Sequence, residues 1–171
     1  MKKKKRWLVV ASMILIIGVG VKFYMDKKEQ EELHIIQTDL ANYLYNNYQL
    51  YTVDKEKDDQ LNKEYNHGKG NLTTEEFLKK SVELREYVDI KKIEFTGFSV
   101  SPMGGLVVEF IINDVYPDKT ILNTISAETN KWLYSFNSGN TINSYVLAEK
   151  PTPTNLKMPE KDIIYCDKGI K

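Results

Sequence analysis

The chain has 171 residues and equal numbers of basic (24) and acidic (24) side chains. That balance hides a split, because residues 1–25 hold six basic residues and no acidic one, which leaves 18 basic against 24 acidic in residues 26–171, a net of −6. One domain fits this length and two large ones do not. An acidic body is a poor partner for nucleic acid. The single cysteine, Cys166, excludes an intramolecular disulfide framework and a multi-cysteine zinc site, and His34 and His67 are the only histidines.

Residues 1–6 form a basic head, Met1 followed by four lysines and Arg6. Trp7 to Val21 carries no charge, and the segment continues through Lys22, Phe23 and Tyr24 to Met25. As a helix, Trp7–Met25 reaches ~28 Å, close to the hydrocarbon thickness of a bilayer, with Lys22 near enough to its end to snorkel. Trp7 on one side and Phe23 and Tyr24 on the other are placed as interfacial anchors. The positive-inside rule keeps the head in the cytoplasm and puts the body outside. We expect a single-pass anchor over residues 1–25, in contact with membrane lipid. The competing reading is a cleaved signal peptide, with Gly18 and Gly20 as its small residues and a secreted body. A lipoprotein signal is excluded, because it needs a cysteine just after the apolar stretch and the one cysteine, Cys166, stands 145 residues beyond Val21.

Neither Gly nor Pro occurs between Gly20 and Gly68. Leu33, Ile36, Leu40 and Leu44 recur at helical spacing, with Tyr43 and Tyr51 on or near the stripe, so residues 26–53 read as a stalk or amphipathic helix. His34 has Thr38 rather than a second ligand one turn on, and reads as a satisfied or solvated histidine. Residues 54–72 are polar and charged with glycines near the end, and read as a charged surface loop. Their acidic residues lack the ligand order and central glycine of a calcium loop. Thr73 and Glu76 form a capping box, which predicts a second helix from about Thr74 to Tyr87.

After Asp89 the period changes to two. Ile93 to Val100 reads as a strand, Ser101-Pro102-Met103-Gly104-Gly105 as a tight reversal, and Leu106 to Asn113 as an apolar and central strand. Thr120–Ala127, Trp132–Asn137 and Ser144–Ala148 read as the third, fourth and fifth strands. The expected fold is therefore α+β: an N-terminal transmembrane helix, one or two amphipathic helices, then a four- to five-stranded antiparallel meander, with the helix and meander in residues 73–150. Residues 151–171, with Pro151, Pro153 and Pro159, form an extended tail whose apolar piece Ile163-Ile164-Tyr165-Cys166 is available to dock on the body.

Chemistry is sparse. No P-loop, dinucleotide fingerprint, HExxH or GxSxG is present, and no cofactor-binding, metal-binding or catalytic set is assigned. Glu109 interrupts an apolar strand and reads as a residue of the solvent face, with a catalytic or binding acid as the alternative. Cys166 reads as a packing thiol, with a Cys–His nucleophile pair as the alternative. The eleven tyrosines supply material both for a core and for an interface.

The basic head, apolar segment, charged stalk and Ser101-Pro102-Met103-Gly104-Gly105, with Asn113-Asp114 after the second strand, resemble small membrane-anchored proteins of Gram-positive bacteria. These are the domain-of-unknown-function families of the 1433 and 1310 type. The resemblance covers residues 92–137 best and implies an envelope location and a short meander. Together these readings give the expectation of an extracytoplasmic, non-enzymatic binding domain at the bacterial envelope, with a protein partner. Immunity against a secreted toxin is an alternative, because an acidic domain complements a basic toxin. An envelope enzyme acting on peptidoglycan, through Glu109 or Cys166, is the alternative from another class.

Overall fold

The computed structural model describes residues 27–66, 72–129, 131–136, 139 and 141–170. The anchor expected over residues 1–25 lies outside them. Among the described residues no helix is long and apolar enough to cross a membrane. The chain is α+β, with two four-stranded sheets in place of the single meander expected.

Helix α1 covers residues 27–47. Leu33, Leu40, Ala41 and Leu44 fall on one face and are buried, and Ile36 packs beside them. The helix does not run on to residue 53 as the stalk reading expected. Its last carbonyls are taken at the end: Asn47 Nδ2 donates to Tyr43 O at 2.8 Å and Lys150 Nζ to Tyr45 O at 2.8 Å. A cation there also suits the negative end of the helix dipole. The chain then enters strand β1 (Tyr48–Val53), whose aromatic and β-branched residues fit a pleated surface. Tyr48 and Leu50 point to the core.

The charged loop expected over residues 54–72 is corrected to a helix over most of its length, α2 (Lys55–Asn66). Asp54 caps it, its Oδ1 accepting from the backbone N–H of Glu56 at 3.1 Å and of Lys57 at 3.3 Å. Leu61 is its one buried residue, so α2 is a polar helix held by its cap and by Tyr65, which stacks on Phe77 at 4.4 Å. Phe77 belongs to α3 (Thr74–Glu83), where both hydrogen bonds of the Thr73–Glu76 capping box are present. Helix α3 ends four residues earlier than expected. Arg85–Asp89 is instead strand β2, paired antiparallel with β1 from Val53↔Arg85 to Gln49↔Asp89.

Strands β3 (Ile93–Val100), β4 (Leu106–Ile112) and β5 (Tyr116–Leu122) are the antiparallel meander the periodicity predicts. The reversal between β3 and β4 closes with Ser101 N–H donating to Gly105 O at 2.8 Å, and Gly104 takes φ 84°. One detail breaks the simple alternation. The β3–β4 register jumps from Phe95↔Phe110 to Gly97↔Glu109, so Thr96 is an extra, bulged residue. The bulge lets Phe95 and Phe98 both face the core. Strand β5 starts at Tyr116, before the expected Thr120, because Pro117 is tolerated where the strand is the sheet's edge.

Two further expectations are corrected. Trp132–Asn137 is not a strand over its described residues: it makes one isolated bridge, Ile125↔Trp132, before Phe136 turns into the core cluster. The expected fifth strand is present as β7 (Tyr145–Glu149), after the two-residue β6 (Thr141–Ile142), but it pairs with β1 and so belongs to the other sheet. The two sheets run β2-β1-β7-β6 and β5-β4-β3-β8, where β8 (Ile163–Ile164) is a piece of the tail lying parallel to β3. The docking of the apolar tail piece is thus as expected. Residues of α1, of both sheets and of the tail share one buried cluster, from Leu40 and Leu50 through Phe98 and Phe110 to Met158.

Candidate functional site: a cleft between helix α1, an aromatic arm and the tail

Helix α1 meets the C-terminal tail through side-chain amides, of which Gln37 and Asn46 are buried. Asn46 grips Leu156 from both sides: Asn46 Nδ2 donates to Leu156 O at 2.8 Å and Asn46 Oδ1 accepts from Leu156 N–H at 2.7 Å. Its Oδ1 also accepts from the Thr154 hydroxyl at 2.7 Å. One turn back, Asn42 Oδ1 accepts from Met158 N–H at 2.8 Å. Further back, Gln37 Oε1 accepts from Cys166 N–H at 2.7 Å, and Gln37 Nε2 donates to Cys166 O at 3.3 Å. An extended chain has its backbone groups free, and here helix amides replace a neighbouring strand in satisfying them. The tail therefore runs antiparallel to α1 as a strap. At its far end Tyr165 stacks on His34 at 3.8 Å, and Ile170 N–H reaches Glu29 Oε1 at 3.4 Å.

Beside this strap opens a cleft of about 620 Å³. One wall is α1, with Asp39, Tyr43 and Asn47, and another is the tail at Asn155 and Lys157. The third wall is the arm that follows β5, which brings Trp132, Leu133 and Tyr134. The arm is held in place by Thr120, whose hydroxyl donates to Ser135 O at 3.0 Å, and by Phe136, which packs edge-on against Phe110 and Tyr48. Tyr134 lies 4.9 Å from Tyr43, ring centre to ring centre. Burial first, and Asp39 and Tyr43 second, push the Tyr134 phenol well above its ordinary range. The phenol is neutral at physiological pH, as any tyrosine is, and the shift keeps it so into more alkaline solution.

The cleft thus combines aromatic faces, amides and hydroxyls with one carboxylate, Asp39, and two ammonium groups, Lys131 and Lys157. Such a lining offers surfaces for stacking, apolar contact and hydrogen bonds.

The residues singled out from sequence lie elsewhere. Glu109 is exposed on the outer face of β4, opposite Gly97 and Lys119 in register. Cys166 is a buried free thiol whose backbone is the one Gln37 grips. His34 is solvent-facing and stacked on Tyr165, and His67 lies outside the described residues. Glu109 and Cys166 are not in the cleft. Among the described residues no group of three or more His, Cys, Asp or Glu side chains is placed to hold a metal. Sequence reasoning missed the amide strap and the arm. A signal for the first existed: Gln37 stands one turn after Leu33 on the core face of α1, where a polar group needs a partner.

No protein-family model, no curated protein and no solved structure matches the chain.

Proposed function

We propose that this chain is a membrane-tethered, non-catalytic binding module of the bacterial envelope, and that it takes a segment of a partner protein into the cleft beside α1. The observation that carries the reading is the cleft's lining, Tyr43, Trp132 and Tyr134 alongside Asn47 and Asn155. Trp and Tyr are the side chains that dominate binding energy at protein interfaces. The occupant is an extended segment, because the same face of α1 already holds an extended chain through Asn42 and Asn46. The tether and the envelope location rest on the basic head and the apolar run from Trp7 to Met25. They also rest on the resemblance carried by Ser101–Gly105 and Asn113-Asp114.

The acid excess of residues 26–171 supports a basic partner, and with it the second reading, protection against a basic secreted toxin. Expression in sensitive cells tests that reading: survival supports it and unchanged killing by toxins of the neighbouring locus removes it.

For the first reading, a photo-cross-linking residue is placed at Leu133, 52 % exposed on the cleft wall, in the full-length protein in intact cells. One discrete protein adduct is expected, lost when Trp132→Ala and Tyr134→Ala are added and absent when the cross-linker sits at Glu109 on the outer face. Adducts that are the same from both positions, or that survive the double substitution, overturn it. Catalysis by Glu109 or Cys166 is tested by Glu109→Gln with Cys166→Ser, which should leave function unchanged.

A further inference from the structure

A second concavity, of about 320 Å³, lies where the α2–α3 hairpin meets the end of the β2-β1-β7-β6 sheet. Arg85, the first residue of β2, lines it together with Lys55, Ser81 and Ser144. The Arg85 guanidinium carbon lies over the ring of Tyr51, 4.7 Å from its centre, a cation–π contact that restrains the side chain. A cation–π contact takes up none of the guanidinium N–H groups as hydrogen-bond donors to a protein acceptor, so they remain available to a ligand. Among the described residues the Arg85 side chain makes no ion pair and no hydrogen bond, and Lys55 likewise has no carboxylate partner within ion-pair distance. The one carboxylate in the lining, Asp58, is engaged with the Asn62 amide at 3.1 Å. With Asp58 counted, the lining carries two cations against one carboxylate, a net positive spot on a body with an excess of acid, with hydroxyl groups around it.

We propose that this concavity is a binding site for a phosphate group, free or as an ester, with Arg85 as its principal ligand. A partly buried guanidinium with no protein counterion keeps its N–H fork free for charge-assisted hydrogen bonds, and a tetrahedral oxyanion matches the donors present. Two oxygens accept from the guanidinium fork, and the others are within the range of chemistry offered by the Lys55 ammonium and the Ser81 and Ser144 hydroxyls. The site is separate from the cleft beside α1, and the two linings share no residue. It therefore stands or falls independently of the partner-binding reading.

The test uses the full-length chain in an uncharged maltoside detergent at constant ionic strength. Inorganic phosphate and glycerol phosphate are each titrated while the Arg85 Nε–Hε and Ser144 backbone resonances are followed by NMR. Saturable shifts at both positions are expected with at least one of the two probes. Arg85→Gln should weaken that affinity by ~10-fold or more. Because Arg85→Gln also removes the contact with Tyr51, Lys55→Gln serves as the second variant. Lys55 is exposed, and its loss should weaken binding several-fold with the rest of the spectrum unchanged. No saturable shift with either probe, or affinities unchanged in both variants, overturns the proposal.

Discussion

Replacing Asn46 tests the strap most sharply. Asn46 is 8 % exposed and its amide makes four hydrogen bonds: to Leu156 O at 2.8 Å, to Asn42 O at 2.7 Å, from Leu156 N–H at 2.7 Å and from the Thr154 hydroxyl at 2.7 Å. At a net ~1 kcal/mol per bond, with some of the loss recovered by water at the exposed tail, Asn46→Ala should cost about 2–4 kcal/mol. Asn46→Asp is the more informative variant. A carboxylate keeps the acceptor for Leu156 N–H and Thr154 but faces the carbonyls of Leu156 and Asn42 without a proton to give them. Its pKa in the folded protein should therefore lie above its unfolded value. Stability should then be near that of the parent at acid pH and fall as pH rises through the folded pKa. The assay is chemical denaturation of the full-length chain across pH, with trypsin cleavage after Lys157 as the local readout. Cleavage should accelerate in both variants at neutral pH. An unchanged midpoint and an unchanged cleavage rate in Asn46→Ala would refute the amide strap.

Other substitutions probe the remaining parts of the fold. A Cβ on Gly105 would stand 2.7 Å from Ile121 Cγ2 and 3.3 Å from Leu122 O, so Gly105→Ala should destabilise by ~1–3 kcal/mol in thermal unfolding. Thr73→Ala removes the capping box and should cost ~1 kcal/mol, visible as faster amide exchange in α3 and not in β3 or β4. Asp118 has a buried Oδ2 without a hydrogen-bond partner among the described residues, and burial raises its pKa above the ordinary carboxyl range. The stability it allows is complete below the unfolded pKa and is lost as pH rises through the folded one. Asp118→Asn should therefore raise the midpoint at neutral pH and flatten the pH profile across that window, as measured by urea unfolding.

Legibility from sequence followed the range of the interaction. The Thr73–Glu76 capping box and the Ser101–Gly105 reversal are written in adjacent residues, and both form as read. The meander β3-β4-β5 is also local, each strand pairing with its neighbour in sequence. Strand β1 is not local. Its partners start at Arg85 and Tyr145, and no Gly or Pro separates it from α1, so its alternation was absorbed into the helical stripe. Helix α2 was hidden by composition: a run this polar buries only Leu61, and Asp54, which caps it, looks like one more surface charge. The arm at Trp132–Phe136 alternates like a strand, but its rings are spent on packing against Tyr43, Tyr48 and Phe110 instead of on a ladder. The strap is the least legible feature, since it needs Gln37, Asn42 and Asn46 to find backbone groups over 100 residues away.

The proposal that the body is tethered and faces outward is tested most directly by labelling one exposed thiol in living cells. Met103, at the apex of the β3–β4 hairpin, is 100 % exposed, so Met103→Cys in a Cys166→Ser background presents a single reactive site. A membrane-impermeant maleimide added to intact cells should label it as completely as in lysed cells, with the labelled full-length chain sedimenting with the membranes. Labelling that occurs only after lysis would contradict the proposed location and, with it, the envelope role.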